Sequence, residues 1–106
     1  EIILNTDKSD NINLDVFTLC SNYPNPFNPA TTISYNIPKS SYIKIDIYNP
    51  MGGMVRHLYS SQRDQGYHSI MWNSKDNYGK PVSAGLYFYS IRSDNHILSG
   101  KMLLVK

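Results

Sequence analysis

The chain of 106 residues holds one cysteine, no cluster of like charges, and no apolar stretch near the ~20 residues that span a membrane as a helix. Each shortage excludes something. Cys20 has no partner for an internal disulfide, so cysteine usage is silent about compartment. It reads as a small buried thiol rather than a nucleophile. A formal charge of +2, with lysines and arginines dispersed along the chain, argues against a nucleic-acid partner. The chain has neither an initiating methionine nor a basic-then-apolar leader, and it reads as a fragment of something longer. Glycine-rich phosphate loops, G-x-S-x-G elbows and H-E-x-x-H helices are missing, so no enzymatic activity and no cofactor are expected. His57, His68 and His96 fall in different elements, none with a partner at ligand spacing. The loop Asp76-Asn77-Tyr78-Gly79 supplies one carboxylate, whereas calcium takes six to eight oxygens, so a solvated turn is expected rather than a metal site.

Helical periodicity is also lacking, and alternation takes its place. Between Thr31 and Ile37 the apolar set Ile33, Tyr35 and Ile37 shares one face; between Tyr42 and Tyr48, Ile43, Ile45 and Ile47 oppose Lys44 and Asp46. Period two with one wet face describes a strand. Pro38-Lys39-Ser40-Ser41 and Asn49-Pro50-Met51-Gly52-Gly53 are turns around the second of these. Further strands are predicted from Met54 to Tyr59, with Val55 and Leu58 towards the core, and after Gln65-Gly66, with His68, Ile70 and Trp72 on one face. Leu86 to Ile91 is apolar on both faces, which predicts a central strand covered on both sides. Ile97 to Val105 closes the set, its inward residues being either Met102 and Leu104 or Leu103 and Val105. With a short strand at Phe17 to Leu19 there are about seven, separated by turns, and that pattern predicts an all-β, immunoglobulin-like antiparallel β-sandwich. One core of this size buries roughly 65% of the unfolded surface without metal or disulfide support. Residues 1–13 read as a linker or the tail of a preceding domain, with Ile2-Ile3-Leu4 either an extra strand or part of that tail. Residues 14–106 read as the domain.

The densest local signal is Asn22-Tyr23-Pro24-Asn25-Pro26-Phe27-Asn28-Pro29. Three prolines exclude a helix and favour a stiff, extended ribbon, whose apolar anchors would be Tyr23 and Phe27. Its prolines would cap an unpaired sheet edge. Followed by Ala30-Thr31-Thr32-Ile33, this string resembles the opening of the C-terminal sorting domain of type IX secretion cargo, and the resemblance continues through the chain. Ile45-Asp46-Ile47-Tyr48-Asn49 with Gly52, Gly66-Tyr67-His68 leading to Trp72-Asn73, Gly85-Leu86-Tyr87, and Lys101-Met102-Leu103-Leu104-Val105-Lys106 are similar to its later blocks. Ser83 departs from the proline that many members of a related branch place before Gly-x-Tyr.

That resemblance implies a non-catalytic module at the end of a larger exported protein. Its implied partners are an outer-membrane translocon, a surface sorting peptidase and an N-terminal passenger, and its implied location is secreted or cell-surface. Asn22, Tyr23, Pro24, Asn25, Pro26, Phe27, Asn28, Pro29, Trp72, Gly85, Tyr87, Lys101 and Lys106 are the motif positions it singles out. A related sandwich occurs in the flagellar hook-capping protein, so fold alone leaves the role open. Two other roles fit the composition. Tyrosines such as Tyr42, Tyr48, Tyr87 and Tyr89 could form a platform for carbohydrate in an adhesive accessory domain. The domain could equally be a structural spacer.

Overall fold

Strands carry nearly all the regular structure in the computed structural model, which describes residues 18–94 and 96–106. They are β1 (Thr18–Tyr23), β2 (Thr31–Ile37), β3 (Ser41–Tyr48), β4 (Met54–Arg63), β5 (Gly66–Trp72), β6 (Gly85–Arg92) and β7 (Ile97–Leu104). Phe17, residues 1–13 and the boundary at residue 14 lie outside the described residues. The strands form two antiparallel sheets, one of three in the order β1-β2-β5 and one of four in the order β4-β3-β6-β7. This is the expected immunoglobulin-like sandwich.

Alternation decides what fills the space between the sheets. Ile33, Tyr35 and Ile37 from β2 face Ile43, Ile45 and Ile47 from β3, all at most 1% exposed. Tyr87, Tyr89 and Ile91 of β6 and Met102 and Leu104 of β7 complete that layer, with Val55 and Leu58 packed at its margin. Burial of each such side chain stabilises by roughly 1.5–3 kcal/mol. On β7 the inward pair is therefore Met102 and Leu104, and Leu103 and Val105 face out.

Two expectations need correction. β6 is central within its sheet, but only one face is covered: Leu86 is exposed and Phe88 half-buried. Apolar residues on both faces do not require two neighbouring layers when the outer set is only partly shielded. Asp46, assigned to the wet face, is 1% exposed, because the neighbouring strand of the same sheet, β4, sets His57 against it.

The β3–β4 turn shows why its residues were legible. Asn49 Oδ1 accepts the backbone N–H groups of Met51 at 3.0 Å and Gly53 at 2.8 Å, while Gly52 takes φ +88°, which glycine alone adopts readily.

Candidate functional site

The Asn-Pro segment leaves β1 and crosses from the three-stranded sheet to the outer edge of β7. It does so as a series of bends, not an extended ribbon, and its three X-Pro bonds are cis. Phe27 is the anchor. It is 1% exposed, its N–H donates to Leu103 O at 2.9 Å, and its carbonyl accepts Val105 N–H at 3.0 Å. Asn25 extends the contact through its side chain. Leu103 N–H donates to Asn25 Oδ1 at 3.0 Å, and Asn25 Nδ2 reaches Lys101 O at 3.5 Å. A side-chain amide offers the same donor and acceptor as a peptide, so Asn25 acts here as one more unit of strand. The edge is thus closed by Asn25 and Phe27, not by proline rings.

A polar network supports the clasp from behind. Asn22 Nδ2 donates to Thr31 Oγ1 at 3.2 Å, and Thr31 Oγ1 donates to Pro24 O at 2.8 Å. Ser74, a buried residue at φ +65°, donates its hydroxyl to Pro29 O. Beneath lies an aromatic row. Phe27 and Trp72 have ring centroids 5.8 Å apart, and Trp72 meets Tyr87 edge-on at 5.4 Å. Trp72 Nε1–H donates to Lys75 O at 2.9 Å and Tyr87 O–H to Ser83 O at 2.6 Å, so both buried polar ends are satisfied. Desolvation raises the Tyr87 pKa above the usual phenol value.

The structure therefore joins Asn22, Asn25, Phe27, Trp72 and Tyr87 with the backbone of β7 in one assembly. Gly85 opens β6 opposite Leu104, at φ +144°. Tyr23 is not an anchor: it is 78% exposed, because it ends β1 on the outer face of its sheet. Pro24, Pro26, Asn28 and Pro29 have exposed side chains, as do Lys101 and Lys106. Of the tyrosines proposed as a platform, Tyr87 and Tyr89 point into the core, which dissolves that surface.

Sequence reasoning missed a second clasp and a polar row. Asn77 N–H donates to Val55 O at 3.1 Å, and Asn77 Oδ1 accepts His57 N–H at 2.7 Å, closing part of the β4 edge. Asp76 Oδ1 meanwhile accepts the N–H groups of Tyr78 and Lys80, which commits that carboxylate oxygen to its own turn. On the outer face of β3 and β4, His57 Nδ1 lies 2.7 Å from Asp46 Oδ1, and Nε2 lies 3.2 Å from Ser60 Oγ. The dense Asn-Asp-Gly composition of residues 73–79 signalled the turn but not its target.

An antiparallel two-sheet sandwich with this clasp defines an immunoglobulin-like module. The family described as FlgD Ig-like domain matches residues 28–96. The chain belongs to that family. No curated protein matches it. Among solved structures it is similar to dimeric latent PorU from Porphyromonas gingivalis, at 20% identity and TM-score 0.67 over 85% of this chain and 9% of that one. FlgD from P. aeruginosa is similar at 25% identity and TM-score 0.57, over 70% of this chain and 59% of that one. PorZ of Porphyromonas gingivalis, described as an essential bacterial surface component of the type-IX secretion system, is similar at 19% identity and TM-score 0.55, covering 88% of this chain and 12% of that one. This chain thus spans only a part of each of these relatives.

Proposed function

We propose that the domain is a sorting module of a larger exported bacterial protein, a role that itself needs no catalysis, read by the type IX secretion machinery at the outer membrane. The observation that carries this reading is the clasp. The Asn-Pro motif and the Lys-bracketed last strand, the two ends of the resemblance, meet in one hydrogen-bonded unit through Asn25 and Phe27. Likeness in fold to PorU and PorZ adds support. In this role the domain uses no catalytic step. It presents two exposed lysines, Lys101 in the last strand and Lys106 just beyond it, to an acidic groove on an outer-membrane translocon, where charge steers encounter more than it adds affinity. A surface sorting peptidase then acts on the cargo, whose passenger lies N-terminal to the domain.

The test fuses residues 14–106 to a reporter in a bacterium with the type IX pathway. The parent fusion is expected in the medium or on the cell surface, a Lys101→Ala/Lys106→Ala variant is expected to fold normally and stay inside, and a deletion after Gly100 to lose both folding and export. Normal export of the deletion, or no export of the parent, overturns the assignment. Export of the lysine variant at the parent level removes the lysines from the signal. One observation favours an adhesive reading instead. Tyr23, Tyr67 and Met71 all stand exposed on the outer face of the three-stranded sheet. Retention of the purified domain on a polysaccharide column, lost in Tyr23→Ser/Tyr67→Ser, would favour that reading.

A further inference from the structure

The outer face of the four-stranded sheet carries the row Asp46, His57 and Ser60, which the export role leaves unused. His57 and Ser60 are three residues apart, so plain alternation would put them on opposite faces. A bulge prevents this. Asp46 pairs with His57 while Ile45 pairs with Tyr59, leaving Leu58 as the extra residue. Ser60 then returns to the side of His57. The Asp46 carboxylate is 1% exposed and 2.7 Å from His57 Nδ1. A carboxylate only accepts, so Nδ1 holds a proton, and in the neutral imidazole it is the lone pair of Nε2 that faces Ser60 Oγ at 3.2 Å. Asn77 fixes the backbone of His57 from the other edge. His57 and Ser60 are both exposed, and with Tyr42, Lys44 and Met54 they line a depression of about 460 Å³. The depression is open to solvent, so a small ligand would lie against it without being enclosed. Lys44 stands opposite Ser60 in the ladder, which puts its ammonium on the same face.

We propose that Ser60 is an activated nucleophile that takes acyl groups from small esters, with His57 as its general base and Asp46 holding the imidazole tautomer. Carboxylate, imidazole and hydroxyl in this order are what activate a serine. Ser60 Oγ attacks the ester carbonyl as its proton moves to His57 Nε2. The bond from the carbonyl carbon to the leaving oxygen then breaks, and Nε2 returns the proton to that oxygen. The products are an acyl ester on Ser60 and a free alcohol. Water, activated by the same nitrogen, hydrolyses that ester and releases the carboxylic acid. The Lys44 ammonium supplies positive charge to the developing oxyanion. A flexible side chain is a poorer stabiliser than fixed donors and slows both steps alike; with a phenolate as leaving group acylation outpaces hydrolysis of the serine ester, so the adduct accumulates.

The experiment treats the whole purified chain with p-nitrophenyl acetate and, separately, with a fluorophosphonate, and maps adducts by peptide mass. A single adduct on Ser60 is expected, with a burst of one nitrophenol per chain. Ser60→Ala should abolish both, while Ser61→Ala should change neither. His57→Gln should slow labelling by roughly 10²–10⁴-fold, the usual worth of a general base, with its thermal unfolding compared to the parent to show that it folds. Should that variant not fold, the site of the fluorophosphonate adduct in the parent and its loss in Ser60→Ala decide alone. Labelling spread over lysines and tyrosines and unchanged in Ser60→Ala overturns the proposal. So does a folded His57→Gln that reacts at the parent rate.

Discussion

Gly100 stands opposite Tyr89 in the β6–β7 ladder, and replacing it with alanine tests how tightly that corner is packed. A Cβ there would lie 2.1 Å from the tyrosine oxygen and 2.4 Å from Cζ. Favourable carbon contacts begin at about 3.5 Å. Tyr89 is 4% exposed, so its ring cannot swing into solvent without emptying part of the core. Overpacking of this kind costs about 1–3 kcal/mol, offset by the roughly 0.5–1 kcal/mol that alanine gains over glycine within a strand. The expected net loss is about 1–2 kcal/mol, or a midpoint lower by roughly 5–15 °C for a domain of this size. Urea unfolding followed by the fluorescence of Trp72, the single tryptophan, reads it directly. The decisive comparison is the same substitution in a Tyr89→Ala background. With the ring gone, Gly100→Ala should turn stabilising by roughly 0.5–1 kcal/mol, giving a coupling of about 1.5–3 kcal/mol between the sites. A single variant as stable as the parent, or equal effects in both backgrounds, refutes the steric account.

Trp72→Ala should lower stability by about 3–5 kcal/mol, since it empties the centre of the aromatic row; an unchanged urea midpoint would place Trp72 outside the core. Burial raises the pKa of Tyr35, where Arg63 partly offsets it, and of Tyr87 and Tyr89, so these phenols stay protonated in the fold after the unfolded chain has ionised. The stability they contribute is complete below pH ~10 and is lost as pH rises beyond it, so urea midpoints should hold below about pH 10 and fall as pH is raised above it; a flat profile contradicts this. Asn25→Ala and Asn77→Ala each uncover part of a sheet edge and should promote association at high protein concentration, seen by sedimentation, with a stability loss of only about 0.5–1.5 kcal/mol. Monomeric double variants with unaltered amide exchange at Leu103 and His57 would show that these side chains do not guard the edges.

Strand identity was legible because alternation and turn chemistry agree, as in Ile43-Ile45-Ile47 followed by the Asn49 turn. The clasp was half legible. Tyr23 and Phe27 stood out alike as aromatics among the prolines, and only the end point of β1 separates their fates. Asn25 was recognised as motif but not as an edge partner, because its acceptor and donor lie more than 70 residues away in β7. The Asp46–His57–Ser60 row was hidden by the β4 bulge. A one-residue insertion leaves no mark in composition, and it exchanges the faces on which the following residues stand. Gly100 drew no separate reading within the last strand, since nothing local announces that Tyr89 occupies the room a methyl group would need.

The partners of Asn25 lie 76 and 78 positions further along the chain. A ribosome extending at about 5–20 residues per second takes roughly 4–15 s to cover that interval. Throughout it, the Asn-Pro segment has been synthesised without the strand it grips, and Phe27 has no backbone to close upon. Completion of the sandwich is thereby tied to the arrival of residues 101–105, so a chain cut short before them carries an open edge and an uncovered aromatic row. The clasp thus makes closure of the Asn-Pro segment conditional on residues 101–105, wherever the surrounding chain begins or stops.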